Sequence, residues 1–126
     1  MSAAAELSAA MLRKRLFVMM RSPKRPEQAS THIESHLRWA IAAEAAGHLF
    51  ASGPFVAAGV APGTPGSPAG GLTILRADSI EHACRIADGD PYVQTETVSY
   101  EMKEWLLMEG SFGLRINFSS GSYAFD

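Results

Sequence analysis

The sequence predicts one α+β domain in which two helices cover one face of an antiparallel sheet. Three observations carry that expectation. The chain has 126 residues, of which 47% are hydrophobic, enough for one core and short for two. Short apolar runs and helix-compatible segments follow one another in the order strand, helix, strand, strand, helix, strand. The strand candidates are bounded by Pro, Gly and charge, so each ends where a turn has to begin.

Taken in order, residues 1–14 read as a flexible N-terminal arm, Ala-rich and without a basic leader or a following apolar stretch. Arg15 to Arg21 is an apolar run closed by Ser22, Pro23 and Pro26, which suits a buried strand. From Ala29 to Ala46 there is neither Gly nor Pro, and Gly47 stands where a helix C-cap belongs. Steps of about 100° put Ile33, Leu37, Ala40 and Ile41 on the packing face, with His36 in the same broad arc beside Ala40 and Ala43. His48 to Phe55 is a second strand ended by Gly53 and Pro54, since Pro cannot donate to a central ladder. Ala57 to Gly71 holds five glycines and three prolines, the composition of a mobile connection able to cover a pocket.

Gly71 to Arg76 is the third strand, and the Ser79 hydroxyl is placed to cap a second helix ending near Gly89. Asp90 and Pro91 suit the cap and first position of a short helical turn. Glu96 to Met108 alternates well enough to be a long fourth strand, with an irregularity near Lys103. This is the split βαβ order of ferredoxin-like domains, placed at 15–108. Such a sheet leaves one face uncovered, and a second copy of the chain would supply the cover. Residues 109–126 form a C-terminal extension with one further strand, Gly113 to Phe118, and a tail rich in turn formers.

Eleven basic against thirteen acidic residues give a net charge of -2, which argues against a phosphate-binding surface for nucleic acid. The longest apolar runs fall far short of the roughly 20 residues of a membrane span. Cys84, the single cysteine, has no second thiol for a disulfide or a CxxC site. The reading is of a soluble cytoplasmic protein.

An N-terminal strand ending in Met20-Arg21, a helix carrying His36-Leu37, the run Gly47 to Pro54, Gly70-Gly71 opening a strand and Asp90-Pro91-Tyr92 together resemble the YciI-like (YCII-related) family over about Leu16 to Leu107. The resemblance implies a ferredoxin-like subunit that forms a dimeric α/β barrel, and a His and Asp pair at a cleft, here His36 and Asp90. One characterised branch removes chloride from a chlorinated hydroxyhydroquinone, and muconolactone isomerases share the fold. The arm, the Gly/Pro loop and the C-terminal extension depart from the family pattern.

An Asp on one ring nitrogen of His36 would fix its tautomer and leave the other nitrogen free as acid or base. The ordinary alternatives are a core histidine and an Asp that serves only as a cap. Tyr92 either orients a substrate oxygen or covers the core; Ser52, Gly53, Pro54 and Phe55 either line a pocket or only end a strand. His32 and His36 have an i, i+4 spacing, but neither an HExxH pattern nor a clear third ligand accompanies them, so no metal is expected. Gly63 to Gly66 lacks the Lys and Ser/Thr of a phosphate loop, and no cofactor is expected. Cys84 reads as a small buried thiol, His82 as a surface residue, and Trp39, Trp105, Phe17, Phe50 and Phe55 as core and interface. The function expected is a small cofactor-independent lyase or isomerase, dehydrochlorinase- or muconolactone-isomerase-like, acting on a cyclic or aromatic-derived metabolite as a homodimer or higher oligomer. The alternatives are a non-catalytic metabolite-binding or accessory dimer and, by fold alone, a haem-handling barrel.

Overall fold

The structure is a computed structural model that describes residues 2–56, 58–59, 61 and 70–125. The remainder of the Gly/Pro-rich connection, with the expected cover and Gly63 to Gly66, lies outside the described residues. The chain divides into two compact units, Arg15–Leu106 and a second made of Met1–Lys14 with Leu107–Asp126.

The larger unit is built on β1 (Lys14–Pro23), α2 (Ala29–Ala45), β2 (Leu49–Pro54), β3 (Gly71–Leu75), α3 (Ile80–Ala87), the single turn α4 (Pro91–Gln94) and β4 (Val98–Leu107); α1 (Ala3–Ala9) belongs to the smaller unit. The sheet order is β2-β3-β1-β4, with β1 and β3 central and antiparallel, the ferredoxin-like arrangement expected from the element order. β2 is an edge strand, the position that tolerates Pro54. Gly47 takes φ +83 just beyond α2, and the Ser79 hydroxyl caps α3 by accepting from the His82 amide.

Register decides which side chains go inward. Phe17 pairs with Leu75 and Met19 with Thr73, all buried on the helix-covered face. Phe17, Leu75 and Ala83 form one core cluster with Leu49, Ala77, Ile86 and Met102 packed on it. Ala29, Tyr92 and Val98 form another, with Ile33 and Val93. The residues between these, Val18 opposite Ile74 and Met20 opposite Leu72, face the other way. They line an open apolar groove of about 360 Å³ with Lys103, Glu104 and Trp105.

The rotation of α2 differs from the sequence expectation. Leu37 and Ile41 are 51% and 65% exposed, whereas Ala29, His36 and Ala43 are buried. The buried line has a seven-residue spacing, close to two helical turns. His36, bonded and stacked as described below, sets that rotation, and the small Ala side chains on either side allow close approach. Phe50, Phe55 and Trp105 are surface residues, Phe50 lying beneath the Arg76 guanidinium at 5.1 Å. Cys84 and His82 are half-buried rather than buried and solvated.

In the smaller unit, residues read as an arm contain α1 (Ala3–Ala9), capped by the Ser2 hydroxyl. The C-terminal segment forms two strands where one was expected, β5 (Leu114–Asn117) and β6 (Ser122–Phe125). Leu114 pairs with Phe125 and Ile116 with Tyr123, so this hairpin carries an apolar face. Among the described residues, no helix is long and apolar enough to cross a membrane.

Candidate functional site

The site grows from residues that three elements turn inward at one end of the sheet. Asp90 ends the loop after α3 in an extended conformation and caps α4, its Oδ1 accepting from the Tyr92 amide at 2.9 Å. The same oxygen lies 2.8 Å from Nδ1 of His36, in the middle of α2. An ionised carboxylate only accepts, so Nδ1 carries the proton of that bond, and in the neutral ring Nε2 keeps the lone pair. Nε2 has no hydrogen-bond partner among the described residues. Capping and imidazole orientation, which the sequence presents as alternatives for Asp90, are thus performed together by one oxygen.

The pair is withdrawn from water. His36 is 7% exposed and Asp90 0%. The Tyr92 ring stacks on the imidazole at 4.2 Å and 9°, and Trp39 stacks at 5.9 Å on the same ring. The Tyr92 hydroxyl donates to the Ala29 carbonyl at 3.2 Å, so its proton is engaged within the protein. Burial first, and then the Asp90 charge, raise the Tyr92 pKa above its ordinary value. Asp90 Oδ2 is fully buried and has no partner among the described residues.

Arg21, which sequence reasoning placed at the end of the first strand and within the family resemblance but not among the site residues, is a second buried polar group whose charge is felt by Asp90 and Tyr92. It is 6% exposed. Its Nη1 donates to Thr73 Oγ1 and its Nη2 to the Gly53 carbonyl at 3.3 Å. Thr73 Oγ1 is in turn 2.8 Å from Ser52 Oγ. Desolvation lowers the Arg21 pKa, against the opposing attraction of Asp90 and then Tyr92. Gly71 leaves the space the guanidinium occupies, because a Cβ there would overlap Nη2 and crowd the Gly53 carbonyl. Arg21 was nevertheless signalled: it shares the inward parity of Phe17 and Met19, and a cation on a core parity needs polar partners.

Of the other predicted site residues, Ser52 and Gly53 join this cluster through Thr73 and Arg21. Pro54 pairs with Gly71, and the Phe55 amide donates to the Gly70 carbonyl at 2.9 Å, so both hold the strand end beside it. His48 and His82 meet edge to face at 5.6 Å elsewhere, and no three His, Cys, Asp or Glu of the described residues are grouped to hold a metal. The arrangement is a buried imidazole hydrogen-bonded to a buried carboxylate whose charge acts on a buried guanidinium.

A family model described as a YCII-related domain matches residues 15–106. Among solved structures, the chain is similar to the 5-chloro-2-hydroxyhydroquinone dehydrochlorinase of Burkholderia phenoliruptrix AC1100 in complex with 2,5-dihydroxybenzoquinone. The two align with a TM-score of 0.57 and 23% identity over 71% of this chain and 92% of that one. At that identity the likeness shows the fold. No curated protein matches the chain.

Proposed function

Since this chain belongs to the YCII-related domain family, we propose that it is a small cofactor-independent lyase or isomerase in which His36 is the acid–base group and Asp90 its orienter. The observation that carries the reading is the 2.8 Å bond between His36 Nδ1 and a carboxylate that is itself fully buried. Asp90 holds the ring in one tautomer and supports the imidazolium, while Nε2 takes a proton from a bound cyclic metabolite and returns it to another atom of the same molecule or to a departing group. Tyr92 supports the ring by stacking, and Ser52, Gly53, Pro54 and Phe55 shape the pocket edge.

The similar dehydrochlorinase is solved with a hydroxyquinone, and a related hydroxylated ring is the substrate class proposed here. The working form is a homodimer or a higher assembly in the reducing cytoplasm, with the open apolar sheet face covered by a second copy. The test is an assay of the purified protein against hydroxylated and chlorinated quinols, hydroxyquinones and lactones. Turnover should fall by about 100-fold or more in His36→Gln, with the circular dichroism spectrum retained. Full turnover in His36→Gln would overturn the proposal.

A further inference from the structure

The C-terminal hairpin lies beyond residues 15–106, the part of the chain that matches the family model, so it is no part of the common fold. Its register sorts the side chains into two faces, because residues directly opposite in an antiparallel pair share a face, as do alternate residues along a strand. Leu114 opposite Phe125 and Ile116 opposite Tyr123 make one face, and Arg115 opposite Ala124 and Asn117 opposite Ser122 make the other. Phe112 joins the first, its ring meeting Phe125 edge to face at 6.4 Å, and Tyr123 meets Phe125 in the same manner at 6.0 Å. These five apolar side chains are between 55% and 80% exposed, so the described residues of the chain leave the face open.

An isolated two-stranded hairpin is marginal in water, and this one turns its large side chains to solvent. The face has the size of an interface. Three aromatic rings with Leu114 and Ile116 offer about 500–600 Å² on each copy, so two copies bury about 1,000 Å² or more, the area at which specific association begins. The face carries no charged side chain, so a copy of itself meets it without like-charge repulsion. Each chain brings one such face, so the complement is present in equal number, and a two-fold pairing closes on itself. We infer that two copies of the chain associate through these hairpins, apolar face against apolar face. The four strands then form two layers about 10 Å apart with the rings between them, and Arg115 and Asn117 remain toward water. The residues used are different from those of the open sheet face, so with both surfaces occupied the assembly holds four copies.

Light scattering of the full chain reads the association. Ile116→Glu, which puts a charge within the face, should halve the mass, whether wild type is a pair joined by the hairpins alone or four copies joined through the sheet face as well. Arg115→Glu, on the other face of the same strand, should leave the mass unchanged, so a general disruption of the hairpin is recognised. Ile74→Glu reports the sheet face separately: it halves the mass of a four-copy assembly and leaves a hairpin-joined pair untouched. Pure protein with p-benzoylphenylalanine in place of Phe125 should, on irradiation, give a covalent pair on a denaturing gel, its cross-linked peptide drawn from residues 112–125 of the second copy. A wild-type mass of one chain leaves the face to a different protein and overturns the inference. An unchanged mass in Ile116→Glu, equal losses in Ile116→Glu and Arg115→Glu, or a cross-link to any other segment of the second copy overturns it too.

Discussion

Asp90 carries two duties on one oxygen, and substitution separates them. Asp90→Asn keeps an acceptor for the Tyr92 amide and the His36 ring, but buries an amide NH2 where the unpartnered Oδ2 stands. A thermal melt should show a loss of about 1–3 kcal/mol, while turnover falls by about 100-fold or more because the imidazolium loses its counter-charge. Asp90→Ala removes the cap as well and should cost about 1 kcal/mol more. Gly71→Ala is the complementary experiment. Its Cβ would overlap the Arg21 guanidinium and crowd the Gly53 carbonyl, so a loss of about 1–3 kcal/mol is expected, measured by denaturant titration. Of these residues His36 and Asp90 were named as a pair through the family resemblance, since their contact joins positions 54 apart. The inward parity of Arg21 could be read along β1, but its contacts with Thr73 and Gly53 could not, because strand parity becomes a contact only once β1, β2 and β3 are in register.

At the scale of elements, α3 and β4 are tied by Tyr100, whose hydroxyl donates to Asp88 at 2.7 Å. Burial first, and then this bond, raise the Tyr100 pKa well above the ordinary 10.0. A group whose pKa is raised by folding contributes stability that is present below the unfolded value and is lost as pH rises through the folded one. Tyr100→Phe should therefore be less stable than wild type at neutral pH, and the two stability curves should converge above about pH 10. Urea titrations across that range check it; parallel curves would contradict the coupling. Most elements could be read from local signals: Gly47 after α2, Ser79 before α3 and Pro91 opening α4 act within a turn of their own position. The rotation of α2 could not. Leu37 and Ile41 define an apolar stripe, but the buried line follows His36, whose partner is supplied by α4.

For the whole molecule, the sheet has one face covered by helices and one apolar face with an open groove. Exposed apolar surface of that kind marks an association site. Light scattering should give twice the 13.5 kDa chain mass or a multiple of it, and Ile74→Glu, at the centre of that face, should shift the protein toward 13.5 kDa. A wild-type mass of 13.5 kDa would dismiss the proposed cover. The C-terminal hairpin shows the same lesson at a smaller size. Its alternating residues were legible as a strand, whereas the pairing of Leu114 with Phe125 and Ile116 with Tyr123 required the turn at 118–121 to be formed.

By itself the sequence determined the element order, the ferredoxin-like class and the caps, because these depend on periodicity and turn chemistry, whereas His36 and Asp90 were named together through the family resemblance. Tertiary structure decided that one oxygen of Asp90 both caps α4 and orients His36, that Arg21 lies buried beside them over Gly71, and that the Ala and His line of α2 faces inward. Each of those depends on distances between segments more than fifty residues apart or on strand register, and a hydrogen bond or a steric overlap is decided by a few tenths of an ångström that no local pattern encodes.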